Sequence, residues 1–221
     1  MTDSGNDKSA QDLAEIRKRI NDIDERLQAL INERANIAKQ VGVAKGELGS
    51  AVDYYRPERE AEVLRSVLER NAGPMKDEEM LRLFREIMSA CLALEKPLQV
   101  AYLGPEGTFT QGATIKHFGH AAICVPQTTI DAVFAQVESG ECDYGVVPVE
   151  NSTEGMVSHT LDNFMESPLR ISGEVEMRIV HHLLVAPHTS EAEITQICAH
   201  QQALAQCRNW LDKHWPAVER L

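Results

Sequence analysis

Counting from Leu13 in alternating steps of three and four gives Leu13, Ile16, Ile20, Ile23, Leu27, Leu30, Arg34, Ile37, Val41, Ala44 and Leu48. This is one stripe of a helix, apolar at every position but one, and it predicts a long helix from about Gln11 to about Leu48. The stretch GELGSAVDYYR breaks it, and Pro57 suits the first turn of a second helix carrying Val63, Leu64, Val67 and Leu68. That helix stops at NAGP (71–74), where Gly and Pro cannot continue it. Asp77 is a candidate N-cap for a third helix, with Met80, Leu81, Phe84, Met88 and Cys91 on one face and Glu95 continuing the row. The first helix is about twice as long as either partner, so two short helices leave half its stripe wet. Pairing of two long helices in a homodimer covers it.

The pattern changes at Lys96–Pro97. QVAYLG, AAICVP and YGVVPVE read as strands, alternating with the helix-like TQGATIKHFG and IDAVFAQVESG, the order of an α/β unit. MVSHTLDNFM follows as a further helix. Glu174 to Ala186 reads as a long strand, on which His181 and His182 point to opposite faces and share no metal. TQICAH and ALAQCRNWLDKHW then open one more strand–helix unit before Leu221, and a single strand with one helix has no sheet to complete.

Composition narrows the classes. The net charge of −12 argues against general nucleic-acid binding, which needs a basic face to displace counterions. It leaves small anions open, since these respond to the local potential of a cleft. Five cysteines without a close pair suit a reducing cytosol and give no metal-ligand spacing. Residues 1–10 are polar and read as a disordered tail, not a signal peptide, and no apolar run reaches bilayer length. A cytoplasmic protein without membrane partners is expected.

Arg34 sits in an apolar stripe that continues for two more turns, and a guanidinium keeps its charge at any ordinary pH. Either it snorkels past the rim or an anion comes to it. Lys45 and Arg17 flank the same stripe, Glu60 and Arg59 lie at the start of the second helix, and Glu95 ends the row of the third. Each alone is read first as a rim charge whose stem packs and whose head reaches water. Together they outline a mostly positive, partly dry pocket for a small dianion carrying an ether or hydroxyl. In the second part, YLGPEGTFT (102–110) and VVPVENSTEG (146–155) place glycines and hydroxyls before helix N-termini, which serves anion binding and helix capping equally. The glycine fingerprint of dinucleotide-binding folds is absent.

LAEIRKRINDIDERLQALINERANIAKQVGVAK, YRPERE and LFREIMSACLALEKP resemble the all-helical class of chorismate mutase over about residues 11–96. The resemblance implies that Arg17 and Arg34 bind carboxylates, with Arg17 reaching into the partner's site across the dimer. It implies that Lys45 meets the ether oxygen, that Arg59 is a further site arginine, and that Glu60 holds the substrate hydroxyl. Glu95 matches a position that is Gln in some members, and Cys91 one that is Ser in others. The reaction so implied, chorismate to prephenate, is a pericyclic rearrangement that requires no cofactor and no nucleophile. It requires a fixed conformer and donors where charge grows.

YLGPEGTFT and VVPVENSTEG, together with AHQQALAQCRNWL (199–211), resemble prephenate dehydratase, joined behind the mutase as in the bifunctional family. The implied fold is an all-α dimeric bundle followed, over 97–221, by a two-lobed α/β domain like periplasmic binding proteins. Asn151, His200 and Gln206 match cleft residues, with Ser152 and Thr153 beside Asn151. The implied substrates are chorismate and prephenate, in phenylalanine biosynthesis. Ala199 stands where the family usually has Ser, and the family's later Thr-Arg-Phe motif and phenylalanine-sensing domain do not occur in the chain. The second lobe is therefore expected to be incomplete and the dehydratase inactive as given. The alternative from another class is a non-catalytic helical dimer carrying a small-anion-binding module.

Overall fold

The computed structural model describes residues 4–47, 55–151 and 155–221. The first part is three helices, α1 (Ser4–Glu47), α2 (Pro57–Arg70) and α3 (Asp77–Ala93). α1 starts before the expected Gln11 and takes in residues 4–10, read above as a tail. Once a helix is nucleated each added residue gains a hydrogen bond, so a polar segment can extend it without a core. Leu48 and most of the GELGSAVDYYR break lie outside the described residues. α2 begins at Pro57 and ends before NAGP as expected. Asp77 is not the N-cap of α3: Lys76 holds that position without a side-chain bond, and Asp77 accepts from Asn71 Nδ2 at 2.6 Å. α3 also ends at Ala93, so Glu95 lies in the turn beyond it.

α1 packs against α3 near its C-terminal end, and among the described residues most of its length packs against no other element. The apolar stripe is consequently half exposed. Ile16, Ile20, Ile23 and Leu27 each retain 51% of their surface, and Leu13, Leu30, Ile37 and Val41 are similar.

The second part is built on a parallel sheet of β1 (Gln99–Leu103), β2 (Ile123–Gln127) and β3 (Tyr144–Val146) in the order β2-β1-β3. β1 pairs Val100 with Cys124 on one side and with Tyr144 on the other. Two helices connect the strands, α4 (Phe109–Phe118) and α5 (Ile130–Glu138). Successive residues of β1 face opposite sides of the sheet. Val100 joins Phe118 of α4, Leu98 and Tyr55 in one core, while Ala101 joins Val133 of α5 and Cys142 in another. The two connections thus lie on opposite faces, and the strand order reverses between β1 and β3. In a doubly wound sheet that reversal leaves a crevice at the carboxyl ends of the two strands. Both Gly- and Ser/Thr-bearing segments leave the sheet there.

YGVVPVE is not one strand. It splits at Pro148 into β3 and β4 (Glu150–Asn151), which pairs antiparallel with β5 (Gly155–Met156), before α6 (Ser158–Glu166). The long strand expected over 174–186 is also absent. That segment is extended but pairs with no strand, and it runs along α4: Lys116 Nζ donates to Glu176 O at 2.7 Å, and Met177 covers Gly112. Alternating apolar residues satisfy a helix surface as well as a sheet, and a strand needs an open edge in reach. The final unit is β6 (Gln196–Ile197), α7 (Gln201–His214) and β7 (Glu219–Arg220). β6 does find a partner, the parallel β7, which is too short to give a periodic signal.

Candidate functional site

Of the charged residues picked out on the helical stripes, three come to one cleft and two meet beside it. Arg34 of α1, Arg59 and Glu60 of α2 and Met88 and Leu92 of α3 line one cleft. α1 supplies the cation because its stripe turns toward α3 at this level. α2 supplies the carboxylate because Pro57 starts the helix three residues earlier, which places Glu60 in the first turn. Glu60 accepts from Arg85 Nε at 3.4 Å. Arg59 pairs with Glu62 at 2.9 Å on the exposed side of α2. Among the described residues Arg34 has no ion pair. A turn beyond Leu92, Lys45 Nζ meets Glu95 Oε2 at 3.5 Å, with only 17% and 9% of their side chains exposed. Gly42 permits this contact, since its bare Cα lets Glu95 lie against α1. Four arginines and one carboxylate in the cleft (Arg34, Arg56, Arg59, Arg85 and Glu60) give it a positive local potential, which suits an anion.

Arg17 is not in this cleft. It is exposed on the unpartnered part of α1, seventeen residues or about 25 Å along the helix from Arg34. It cannot serve its own chain's cleft.

The sequence patterns missed Tyr55, Arg56, Arg85 and Phe118. Arg85 was findable, because it interrupts the row Leu81, Arg85, Met88, Leu92 as Arg34 interrupts its own stripe. Tyr55 is buried, and burial first, then the adjacent Glu60 carboxylate, push its phenol above the ordinary range. Phe118 comes from α4, across the domain boundary, and no local pattern announces it.

The second candidate site lies at the carboxyl edge of the sheet. Thr108 caps α4 by accepting from Gln111 N, and Gly107, at φ +83°, donates its N–H to Gln111 Oε1 at 2.6 Å. Across the crevice Gln206 Nε2 of α7 donates to Asn151 Oδ1 at 3.2 Å, and His181 Nε2 donates to Gln206 Oε1 at 2.6 Å. The His181 ring stands edge-on to Phe109, 6.0 Å between centroids. Asn151 and Gln206, both picked out in the sequence, are thus in contact. His200 instead caps α7, its Nδ1 accepting from Gln202 N at 3.3 Å. Ser152 and Thr153 lie outside the described residues. His181 was missed because the strand reading gave it no partner.

A helical unit that concentrates arginines around a carboxylate, joined to a doubly wound α/β unit with an amide-lined crevice, defines a two-unit protein with one candidate site in each. The comparisons with known proteins give this class its family. Residues 16–96 match chorismate mutase type II, and residues 100–221 match prephenate dehydratase. The chain belongs to the prephenate dehydratase family and carries a chorismate mutase domain ahead of it, the order of the bifunctional enzymes. It is 57% identical over 212 residues to the bifunctional chorismate mutase/prephenate dehydratase of Pseudomonas aeruginosa, covering 95% of this chain and 58% of that protein. The Aquifex aeolicus protein of the same name is 45% identical over 213 residues, covering 95% of this chain and 58% of its own. A solved prephenate dehydratase from Arthrobacter aurescens, in complex with L-Phe, matches 56% of this chain and 42% of its own at 34% identity, with a TM-score of 0.43. The chain spans about three fifths of the length of the curated relatives it matches. Among the described residues no helix is long and apolar enough to cross a membrane.

Proposed function

We propose that the helical part rearranges chorismate to prephenate and that the α/β part belongs to the site that dehydrates and decarboxylates prephenate to phenylpyruvate, in phenylalanine biosynthesis in the cytoplasm. The observation that carries the first half is Arg34, a half-buried cation without an ion pair among the described residues, in a cleft with Arg59 and Glu60. Substrate supplies its anion. Arg34 and Arg17 of the partner subunit grip the two carboxylates as planar forks and hold the reactive conformer. Lys45 and Glu95 lie where charge grows on the ether oxygen, and Glu60 takes the ring hydroxyl. No covalent intermediate is needed.

The active unit is a homodimer paired through α1. The half-exposed stripe from Leu13 to Val41 supports this, because so long an apolar strip is costly in water and matches a second copy of itself. In the α/β part, Asn151, Gln206 and the segment holding Ser152 and Thr153 would face prephenate, with His200 at the start of α7. Dehydration needs a general acid at the departing hydroxyl.

The test supplies chorismate to the purified chain and follows loss of its absorbance, with phenylpyruvate read by its enol absorbance in alkali. Protein-dependent loss of chorismate supports the mutase. Binding of chorismate without turnover would favour the non-catalytic dimer instead.

A further inference from the structure

The four arginines of the cleft are not equivalent. Arg59 is turned to the outer side of α2, where it pairs with Glu62, and Arg56 is exposed. Arg85 is engaged by the cleft's own carboxylate: its Nε lies 3.4 Å from Glu60 Oε1, with only 27% and 17% of the two side chains exposed. The pair joins two helices that pack together, Glu60 in the first turn of α2 and Arg85 in the row Leu81, Arg85, Met88, Leu92 of α3. In that apolar row a cation needs an anionic partner, and Glu60 is the one it meets.

Tyr55 is buried next to the same carboxylate. Burial first and Glu60 second hold its proton well past the ordinary phenol range, so it too presents a donor to Glu60. A bare carboxylate in a partly dry cleft is poorly solvated, and it repels the anion that Arg34 attracts. The Arg85 guanidinium offsets both effects. It occupies Oε1, and a carboxylate has further acceptor sites, so Glu60 can still take a ligand hydroxyl.

We propose that Arg85 is a positioning residue of the mutase reaction, acting through Glu60. It fixes that carboxylate and cancels its charge, so that a dianion bearing a hydroxyl is accepted instead of repelled. This rests on the mutase reading of the cleft.

The test is a double-mutant cycle in chorismate kinetics on the purified chain, with circular dichroism and thermal melts on every variant. Arg85→Gln is expected to lower kcat/KM about tenfold, since Glu60 loses its fixed orientation. Arg85→Lys keeps the charge, and the contact is a single one and not a fork, so it should recover to within about threefold of wild type. The deciding comparison is Arg85→Gln in the Glu60→Gln background. A residue that acts through Glu60 costs little once that carboxylate is gone, so the second loss should fall below about twofold. A loss as large there as in the wild-type background would show that Arg85 acts independently of Glu60, and overturns the proposal. Wild-type kcat/KM in a folded Arg85→Gln chain also overturns it, and the mutase reading stands in both cases. Should Arg85→Gln not fold, the cycle is run with Arg85→Lys, whose smaller loss should vanish beside Glu60→Gln; a loss that persists overturns the proposal. A wild-type chain that consumes no chorismate removes the mutase reading and the proposal together.

Discussion

Gly42→Ala separates the geometry of the proposed mutase site from its stability. A methyl on Gly42 would stand 3.0 Å from Glu95 Cγ, 3.1 Å from its Cβ and 3.4 Å from its Cα. The contacts reach up to the backbone, so turning the end of a flexible side chain does not relieve them. Restoring ordinary contact moves Glu95 away from α1 by about 0.4 Å, the interval from 3.0 to 3.4 Å. Two effects on stability oppose each other. Alanine gains about 1 kcal/mol over glycine inside a helix, and overpacking costs about 1–3 kcal/mol. The net loss is at most about 2 kcal/mol, which a protein of ordinary stability survives. Catalysis has no such offset. A 1 Å misplacement costs on the order of 100-fold, so about 0.4 Å costs roughly sixfold in kcat as the Lys45–Glu95 contact opens. The assay is initial rates of chorismate loss beside a thermal melt of the same preparation. A folded Gly42→Ala chain with wild-type kcat would refute the assignment of Lys45 and Glu95 to the reacting centre.

Other consequences can be checked as directly. In the proposed dimer Ile23→Asp puts a charge in the α1 stripe twice and should yield monomers in light scattering at micromolar concentration; a dimer that persists would place the interface elsewhere. Arg34→Lys keeps the charge but loses the planar fork, so chorismate turnover should fall at least about tenfold with helicity intact, and near-normal turnover would remove Arg34 from the site. Burial lowers the pKa of His117, beside Phe118, below its ordinary 6.5. Its neutral form therefore contributes stability that is fully present above about pH 6.5 and is lost as the pH falls toward its folded value. His117→Gln should flatten that part of the pH–stability curve, and identical curves would show that the ring is not buried in solution.

The helical part was legible because its information is local and periodic. Alternating steps of three and four found α1, its bare stripe and Arg34, and Pro57 and NAGP bounded α2. The same logic, applied to Leu81, Arg85 and Met88, would have found Arg85 as well. The three strands of the parallel sheet were legible as short apolar runs, and their order put both Gly- and Ser/Thr-bearing segments at the crevice. What stayed hidden depends on contacts distant in sequence. Residues 174–186 carry a strand's composition, yet they lie along α4 because Lys116, Gly112 and Phe109 offer them a surface. β7 is two residues long and exists as a strand because β6 is beside it. Phe118 reaches the arginine cleft where the α/β part meets the helices, and His181 reaches Gln206 across the α/β part itself, and local periodicity records neither.

The central claim is a chorismate site shared between two chains, Arg34 from one and Arg17 from the other. Its most direct test mixes Arg17→Ala and Arg34→Ala chains, each inactive alone, under conditions that exchange subunits. In a mixed dimer one site keeps its own Arg34 and receives an intact Arg17, while the other site lacks both. With random exchange half the dimers are mixed and each has one intact site, so chorismate turnover should return to about a quarter of the wild-type rate. A mixture no more active than its separate components, after exchange has been verified, would contradict the shared site.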